Sequence, residues 1–245
     1  MPVPPSGRIS GEHLYPPEDL PRNRESLDPY FGEFLALLRR SISPGGSEFG
    51  LGVSLFSLAV SINAAFIIEV GRFKGFSTLA LASALKLLSI GWSEPQQHKQ
   101  RPDIDYPKFE SPPERILVSI DPVPTPEAAA LIEQAGLQKY VKFADAFSSQ
   151  VRFNSQADLI LIDGDHRYEG CLADVEALIP NHLRPGGYFI LHDYFGWYDE
   201  HGKNNSPIKR VVEKLIADGR LEHLLLDTGY MSFVIFRKPN PATET

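Results

Sequence analysis

Two periodicities of apolar residues alternate along this chain. Phe31, Phe34, Leu35, Leu37 and Leu38 recur at helical spacing, and Arg39 and Arg40 suit the last turn, where the carbonyl end of a helix favours cations. The stretch 51–62 predicts a second helix. The next run, 65–70, is apolar except for Glu69, as a strand covered on both faces of a parallel sheet should be. A helix over about 77–88 then precedes a second strand at 116–120, and Thr125-Pro126 gives an N-cap and a first-position proline to a helix ending near Gly136. Strand three is expected at 140–143 and strand four at 159–162. A helix with Leu172, Val175, Leu178 and Ile179 on one face follows, and a Pro-Gly-Gly turn at 185–187 leads into strand five at 188–191. Ser206-Pro207 caps a helix carrying Ile208, Val211, Val212, Leu215 and Ile216 on one stripe. Apolar runs at 221–226 and 232–236, joined by Asp227-Thr228-Gly229-Tyr230, read as a hairpin. Strands alternating with helices predict an α/β fold with a mainly parallel sheet that ends on an antiparallel strand.

Two segments break the pattern. Residues 1–26 hold six prolines and many charges without periodicity, an irregular arm. The stretch 91–114, with Pro95, Pro102, Pro107, Pro112 and Pro113 among polar residues, is too polar for a core element and reads as an inserted surface loop. The expected organisation is an N-terminal arm and helix over 1–50 and one domain over 51–245 with the loop at about 91–114 inserted. Residues 51–70 are apolar over about the length that a bilayer requires, but they include Ser54, Ser57, Ser61, Asn63 and Glu69. A buried helix followed by a buried strand accounts for them.

Composition narrows the function classes. A formal net charge of −7 disfavours a broad phosphate-binding surface, since nucleic-acid binders gather Lys and Arg on one face. The single cysteine, Cys171, cannot form an internal disulfide, and the Pro-rich N-terminus has no apolar signal region, so a cytoplasmic setting is expected.

Open parallel sheets bind ligands beyond the carboxyl ends of their strands, so the residues that follow each strand carry the functional reading. Strand one delivers Glu69-Val70-Gly71-Arg72-Phe73-Lys74-Gly75-Phe76-Ser77-Thr78. Gly71 and Gly75 let a ligand lie against the main chain, and Ser77 begins a helix whose free N–H groups face it. A dinucleotide loop would want glycine where Phe73 stands, so an adenosine ligand without a pyrophosphate fits better. Strand two ends in Asp121, a carboxylate placed to accept ribose hydroxyls, and strand three in Ala144-Asp145-Ala146, where Asp145 is placed to flank an adenine ring.

Strand four ends in Asp163-Gly164-Asp165-His166 and strand five in His192-Asp193-Tyr194, at the same rim. Asp163 and Asp193 with water suit a hard cation such as Mg²⁺, and His192 adds a softer ligand tolerable to Mn²⁺ or Fe²⁺. His166 is the candidate base for an acceptor hydroxyl. The same residues also admit a reading without metal, in which Asp163 caps its loop and His192 is a satisfied buried histidine. Tyr194, Phe195, Trp197 and Tyr198 form either an aromatic wall for an acceptor or a plug for the domain.

Three stretches together, I-E-V-G-x-x-x-G-x-S-T (68–78), L-I-D-G-D-H-x-Y-E-G (161–170) and L-x-P-G-G-x-x-x-x-H-D-Y (183–194), resemble the class I S-adenosylmethionine methyltransferases with an I-D-G-x-H-x-Y motif after strand four. That group is similar to macrocin-type and catechol-type O-methyltransferases, and the resemblance runs over about 50–237. It implies a Rossmann-like, doubly wound seven-stranded sheet, mainly parallel with an antiparallel last strand. It also implies S-adenosylmethionine held around Glu69, Gly71, Asp121 and Asp145, to which the loop residues Gly75 and Ser77 and the strand-end Asp163 are added as expected cofactor contacts. The implied chemistry is methylation of a small-molecule hydroxyl by His166, Asp163 and Asp193, with Mg²⁺ or another divalent cation at Asp163, His192 and Asp193 as an open option. Metal-dependent relatives carry two adjacent acids after strand five, whereas here the first is His192. Neither nucleic acid nor membrane is expected as a partner, and a homodimer stays open. The rival readings are a Rossmann-type NAD-dependent oxidoreductase, disfavoured by Phe73 and by the lack of a Tyr-x-x-x-Lys pair, and a non-catalytic cofactor-binding subunit.

Overall fold

The structure is a computed structural model, described over residues 24–42, 47–93, 114–194, 206–226 and 232–241. The elements in chain order are α1 (Arg24–Arg40), α2 (Phe49–Ser61), β1 (Phe66–Val70), α3 (Phe76–Ser93), β2 (Ile116–Ile120), α4 (Pro126–Gln134), β3 (Val141–Ala144), β4 (Ala157–Ile162), α5 (Tyr168–His182), β5 (Leu183–Leu191), α6 (Pro207–Asp218), β6 (Glu222–Leu226) and β7 (Val234–Arg237). The seven strands form one sheet in the order β3-β2-β1-β4-β5-β7-β6. The first five run parallel, and β7 lies antiparallel between β5 and β6. This is the doubly wound Rossmann-like arrangement implied by the sequence motifs.

Its layers follow from the alternation of side chains along each strand. On β1, Ile67 packs with Leu38, Leu51, Leu55 and Leu79 from α1, α2 and α3, whereas its neighbour Ile68 packs with Val175, Leu178 and Val211 from α5 and α6. Both faces of the central strands are therefore dry, which is why 65–70 carries no polar/apolar alternation. The apolar stretch 51–70 is divided between α2 and β1, and among the described residues no helix is long and apolar enough to cross a membrane.

Two local expectations are corrected. The Pro-Gly-Gly at 185–187 is not a turn before strand five. The strand starts at Leu183, and its register against β4 jumps from Ala157↔Leu183 to Leu159↔Tyr188, a bulge. Pro185 has no N–H to give, Gly186 takes φ +70°, and the ladder resumes on the opposite side, where Gly186 N donates to Lys238 O (2.8 Å) and Lys238 N to Gly187 O (2.9 Å). The Lys238 ammonium also donates to Pro180 O and Leu183 O, both at 2.8 Å, and so covers the open carbonyl end of α5. At α4, Thr125 occupies the N-cap position with Pro126 behind it, but the Thr125 hydroxyl makes no capping bond. Ser206 does cap its helix, accepting from Ile208 N at 3.2 Å. The arm at 1–23, the body of the inserted loop at 94–113, Phe195, Trp197 and Tyr198, and the connection 227–230 lie outside the described residues.

Candidate active site

The parallel strands all end at one rim, and a cavity of about 850 Å³ opens there. Gly71, Asp121, Asp163, His166, His192 and Asp193 all lie on its wall. Gly71 follows β1 at φ +84°, and a Cβ on it would stand 2.1 Å from Asp163 O, so the loop can pass under the end of β4 only with glycine there. Asp121 anchors the turn after β2: Oδ1 accepts from Val123 N (2.9 Å) and Oδ2 from Arg72 N (3.2 Å).

The other four residues expected at the cofactor stand off this wall. Glu69 is fully buried and points into the protein, where its carboxylate accepts from Ser77 Oγ (2.5 Å), Thr78 Oγ1 (2.6 Å) and Ser119 Oγ (2.6 Å). It knots the end of β1 to β2 and to the first turn of α3. Burial raises its pKa against the pull of those three hydroxyls. Ser77, committed to Glu69, borders a small adjoining cavity of about 30 Å³ with Gly71 and Asp163. Gly75 seats α4, since a Cβ there would lie 2.9 Å from Ala128 Cα. Asp145 is held by Arg72.

Arg72, which the pattern of the sequence did not single out, is only 2% exposed. Its Nη1 donates to Ser119 O (2.9 Å), Nη2 donates to Asp121 O (3.2 Å) and to the Asp145 carboxylate, and the guanidinium lies 5.0 Å from the centre of the Phe143 ring. One planar cation thus ties the ends of β1, β2 and β3 together. An Arg inside a glycine loop, with acids ending the next two strands, was the signal available for it.

Asp163 and Asp193 converge from β4 and β5 on two imidazoles. Buried His192 donates from Nδ1 to Asp163 Oδ1 at 2.9 Å, and its Nε2 stands 3.6 Å from Glu48 Oε2. Exposed His166 places Nε2 3.1 Å from Asp193 Oδ2 and 3.6 Å from Asp163 Oδ1. Asp193 itself takes φ +60°, and its carbonyl accepts from Ser206 Oγ (2.8 Å), so the cap of α6 also fixes the end of β5. Burial opposes charge on His192, but Asp163, Glu48 and Asp193 outweigh it and push its pKa up to about 11. Asp163 is held below the ordinary carboxylate range, because His192 and His166 overcome the effect of burial. Asp193 is raised, by burial first and then by the charge of Asp163. His166 is raised by its contact with Asp163, with the charge of Asp193 adding to it. Glu48, just ahead of α2, also lines the cavity and was missed, because nothing in the stretch around it marks an acid for a site.

The donor atoms of Asp163, His192 and Asp193 lie within 4.8 Å of one another, a spacing and a donor set that fit a divalent cation. The buried Glu48 Oε2 and His192 Nε2 have no hydrogen-bond partner among the described residues.

A sequence profile of the methyltransferase-domain family matches residues 68–194, which run from β1 to the end of β5. The chain belongs to that family. It is accordingly a methyltransferase enzyme, and the oxidoreductase reading has no support. No curated protein matches it in sequence. Among solved structures it is similar to a Podospora anserina methyltransferase bound to S-adenosylhomocysteine, at 15% identity and TM-score 0.60 over 90% of this chain and 98% of that one. It is also similar to a Bacillus cereus O-methyltransferase in complex with S-adenosylhomocysteine (18%, TM-score 0.55, 88% and 96%). A third is a Streptomyces achromogenes O-methyltransferase of tomaymycin synthesis in complex with S-adenosylmethionine (18%, TM-score 0.57, 90% and 100%). At these identities the likeness concerns the fold.

Proposed function

We propose that this methyltransferase transfers the methyl group of S-adenosylmethionine to a hydroxyl of a small molecule, with His166 as the proton acceptor. The observation that carries the reading is the His166 imidazole held by Asp193 and Asp163 in the cavity that Gly71 and Asp121 also line. When bound, the cofactor supplies a sulfonium methyl to the attacking oxygen. Gly71 lets a ligand lie against the main chain, and Asp121 is placed to accept from ribose hydroxyls. His166 takes the hydroxyl proton, and the two carboxylates stabilise the imidazolium that results. We assign this chemistry to the domain at 51–245, with Ser47 and Glu48 of the preceding segment completing the wall.

Asp163, His192 and Asp193 would hold a divalent cation, and the imidazole donor favours Mn²⁺ or Fe²⁺ over Mg²⁺. A cation bound there would lower the pKa of an acceptor hydroxyl. Its entry requires His192 to give up the proton it donates to Asp163, so occupancy should rise with pH.

The test is release of S-adenosylhomocysteine from S-adenosylmethionine against a panel of phenols, catechols and sugars, with His166→Ala as control. Turnover on a hydroxyl acceptor that falls roughly 10²-fold or more in the variant supports the reading. Methylation confined to nitrogen or carbon acceptors would overturn it.

A further inference from the structure

Asp145, the acid expected beside an adenine ring, is engaged by Arg72 and is absent from the cavity wall. A different acid reaches that wall. The connection from β3 to β4 supplies Ser148 and α5 supplies Asp174, and both line the cavity. Ser148 is buried, and its hydroxyl donates to Asp174 Oδ1 at 2.5 Å. That bond consumes the one proton of the Ser148 hydroxyl. Asp174 Oδ2 has no donor among the described residues, and it stands 3.5 Å from the point where a Cβ on Gly164 would lie. The residues of this part of the wall, Gly164, Gly170 and Ala173, have no polar side chain to offer it. Burial raises the pKa of Asp174, and the nearby charge of Asp165 adds to the rise against the pull of the Ser148 hydroxyl. A half-buried carboxylate with one open oxygen on the cavity wall is placed to accept an N–H or O–H from whatever fills the cavity. Phe147, exposed and on the same wall, offers a ring face for a planar base.

On the reading that the cofactor is S-adenosylmethionine, we infer that Ser148 and Asp174 read its adenine, with Asp174 Oδ2 accepting from the exocyclic amine, in place of Asp145. The amine is the one donor group on that edge of the ring. A carbonyl in its position would present lone pairs to the carboxylate and be rejected.

Calorimetric titration of S-adenosylhomocysteine and of S-inosylhomocysteine, in which a carbonyl replaces the amine, tests this on the full chain. The wild type should bind the adenosyl compound about 30-fold more tightly or better, the scale of one lost hydrogen bond plus an unpaired carboxylate. Asp174→Ala should shrink the ratio below about threefold by weakening the adenosyl compound alone, and Asp174→Asn below about tenfold, while Asp145→Ala leaves it unchanged. A wild type that binds both compounds equally, or an undiminished ratio in both Asp174 variants, overturns the inference. A wild type that binds neither compound overturns the cofactor reading instead.

Discussion

His166 Nε2 lies 3.1 Å from Asp193 Oδ2, so the imidazole that follows β4 is seated by the carboxylate that ends β5. With His166 as the proposed base, its raised pKa predicts the pH dependence of turnover. A base must be unprotonated, so kcat is expected to fall as pH drops through a value above the ordinary 6.5 of histidine. Asp193→Asn removes one of the charges that hold the proton on, and the acid limb should move to lower pH. A limb in the same place in wild type and variant would separate His166 from the rate.

Asp163→Ala is expected to abolish turnover, because it strips the carboxylate shared by His192 and His166, and Asp193→Ala to lower it steeply while His166 keeps Asp163. Gly71 and Asp121, the residues proposed to hold the cofactor, are unchanged, so S-adenosylhomocysteine affinity, read by calorimetry, should stay within about threefold of wild type. Loss of both together would mean that the carboxylates hold the loop rather than the acceptor.

Glu69 acts on stability. Its pKa is raised in the folded chain, so the folded state favours the protonated form. That contribution is complete below the ordinary value of 4.5 and is lost as pH rises through the folded value. Urea unfolding from pH 4 upward should therefore show a decline that Glu69→Gln removes. Glu69→Ala strands the hydroxyls of Ser77, Thr78 and Ser119 and should cost on the order of 2 kcal/mol or more at every pH.

Arg72→Lys tests the planar clamp. A lysine reaches one carbonyl where the guanidinium bonds Ser119 O, Asp121 O and Asp145 together. We expect roughly tenfold weaker S-adenosylhomocysteine binding, about 1.4 kcal/mol, because the turn that carries Asp121 loosens. Asp145→Ala removes only a half-exposed partner and should change the unfolding free energy by less than about 1 kcal/mol.

Chelation decides the cation. If Asp163, His192 and Asp193 hold one in the working enzyme, EDTA should abolish activity and added Mn²⁺ should restore it. Full activity in EDTA would leave methyl transfer in place and reduce the cluster to His192 pairing with Asp163.

The central strands were legible because both faces are dry: β1 and β4 fall on their apolar runs, and Asp121, Asp163 and Asp193 follow their strands at one rim. What the pattern could not show was the direction of a side chain at a strand end. Glu69 looks like a cavity acid until its partners appear, and one of them, Ser119, is 50 residues away. Asp145 and Asp174 could not be told apart for the same reason, since Arg72 engages the one and α5 brings the other to the cavity wall. The Pro-Gly-Gly at 185–187 carries a turn signature, and only its place in β5, bulged against β4 and bonded to distant Lys238 on the other side, shows that the strand continues through it.

The placement of β7 has a consequence for synthesis on the ribosome. β6 pairs with β7 and with no other described strand, yet it is translated first. While the nascent chain emerges, the five parallel strands can assemble with their helices, but β6 has no neighbour and β5 has an open flank until β7 slides between them. Phe189 with Phe236, Leu191 with Val234 and the whole β6–β7 ladder therefore wait for β7, and a nascent chain stalled before Val234 should be the form that a chaperone holds.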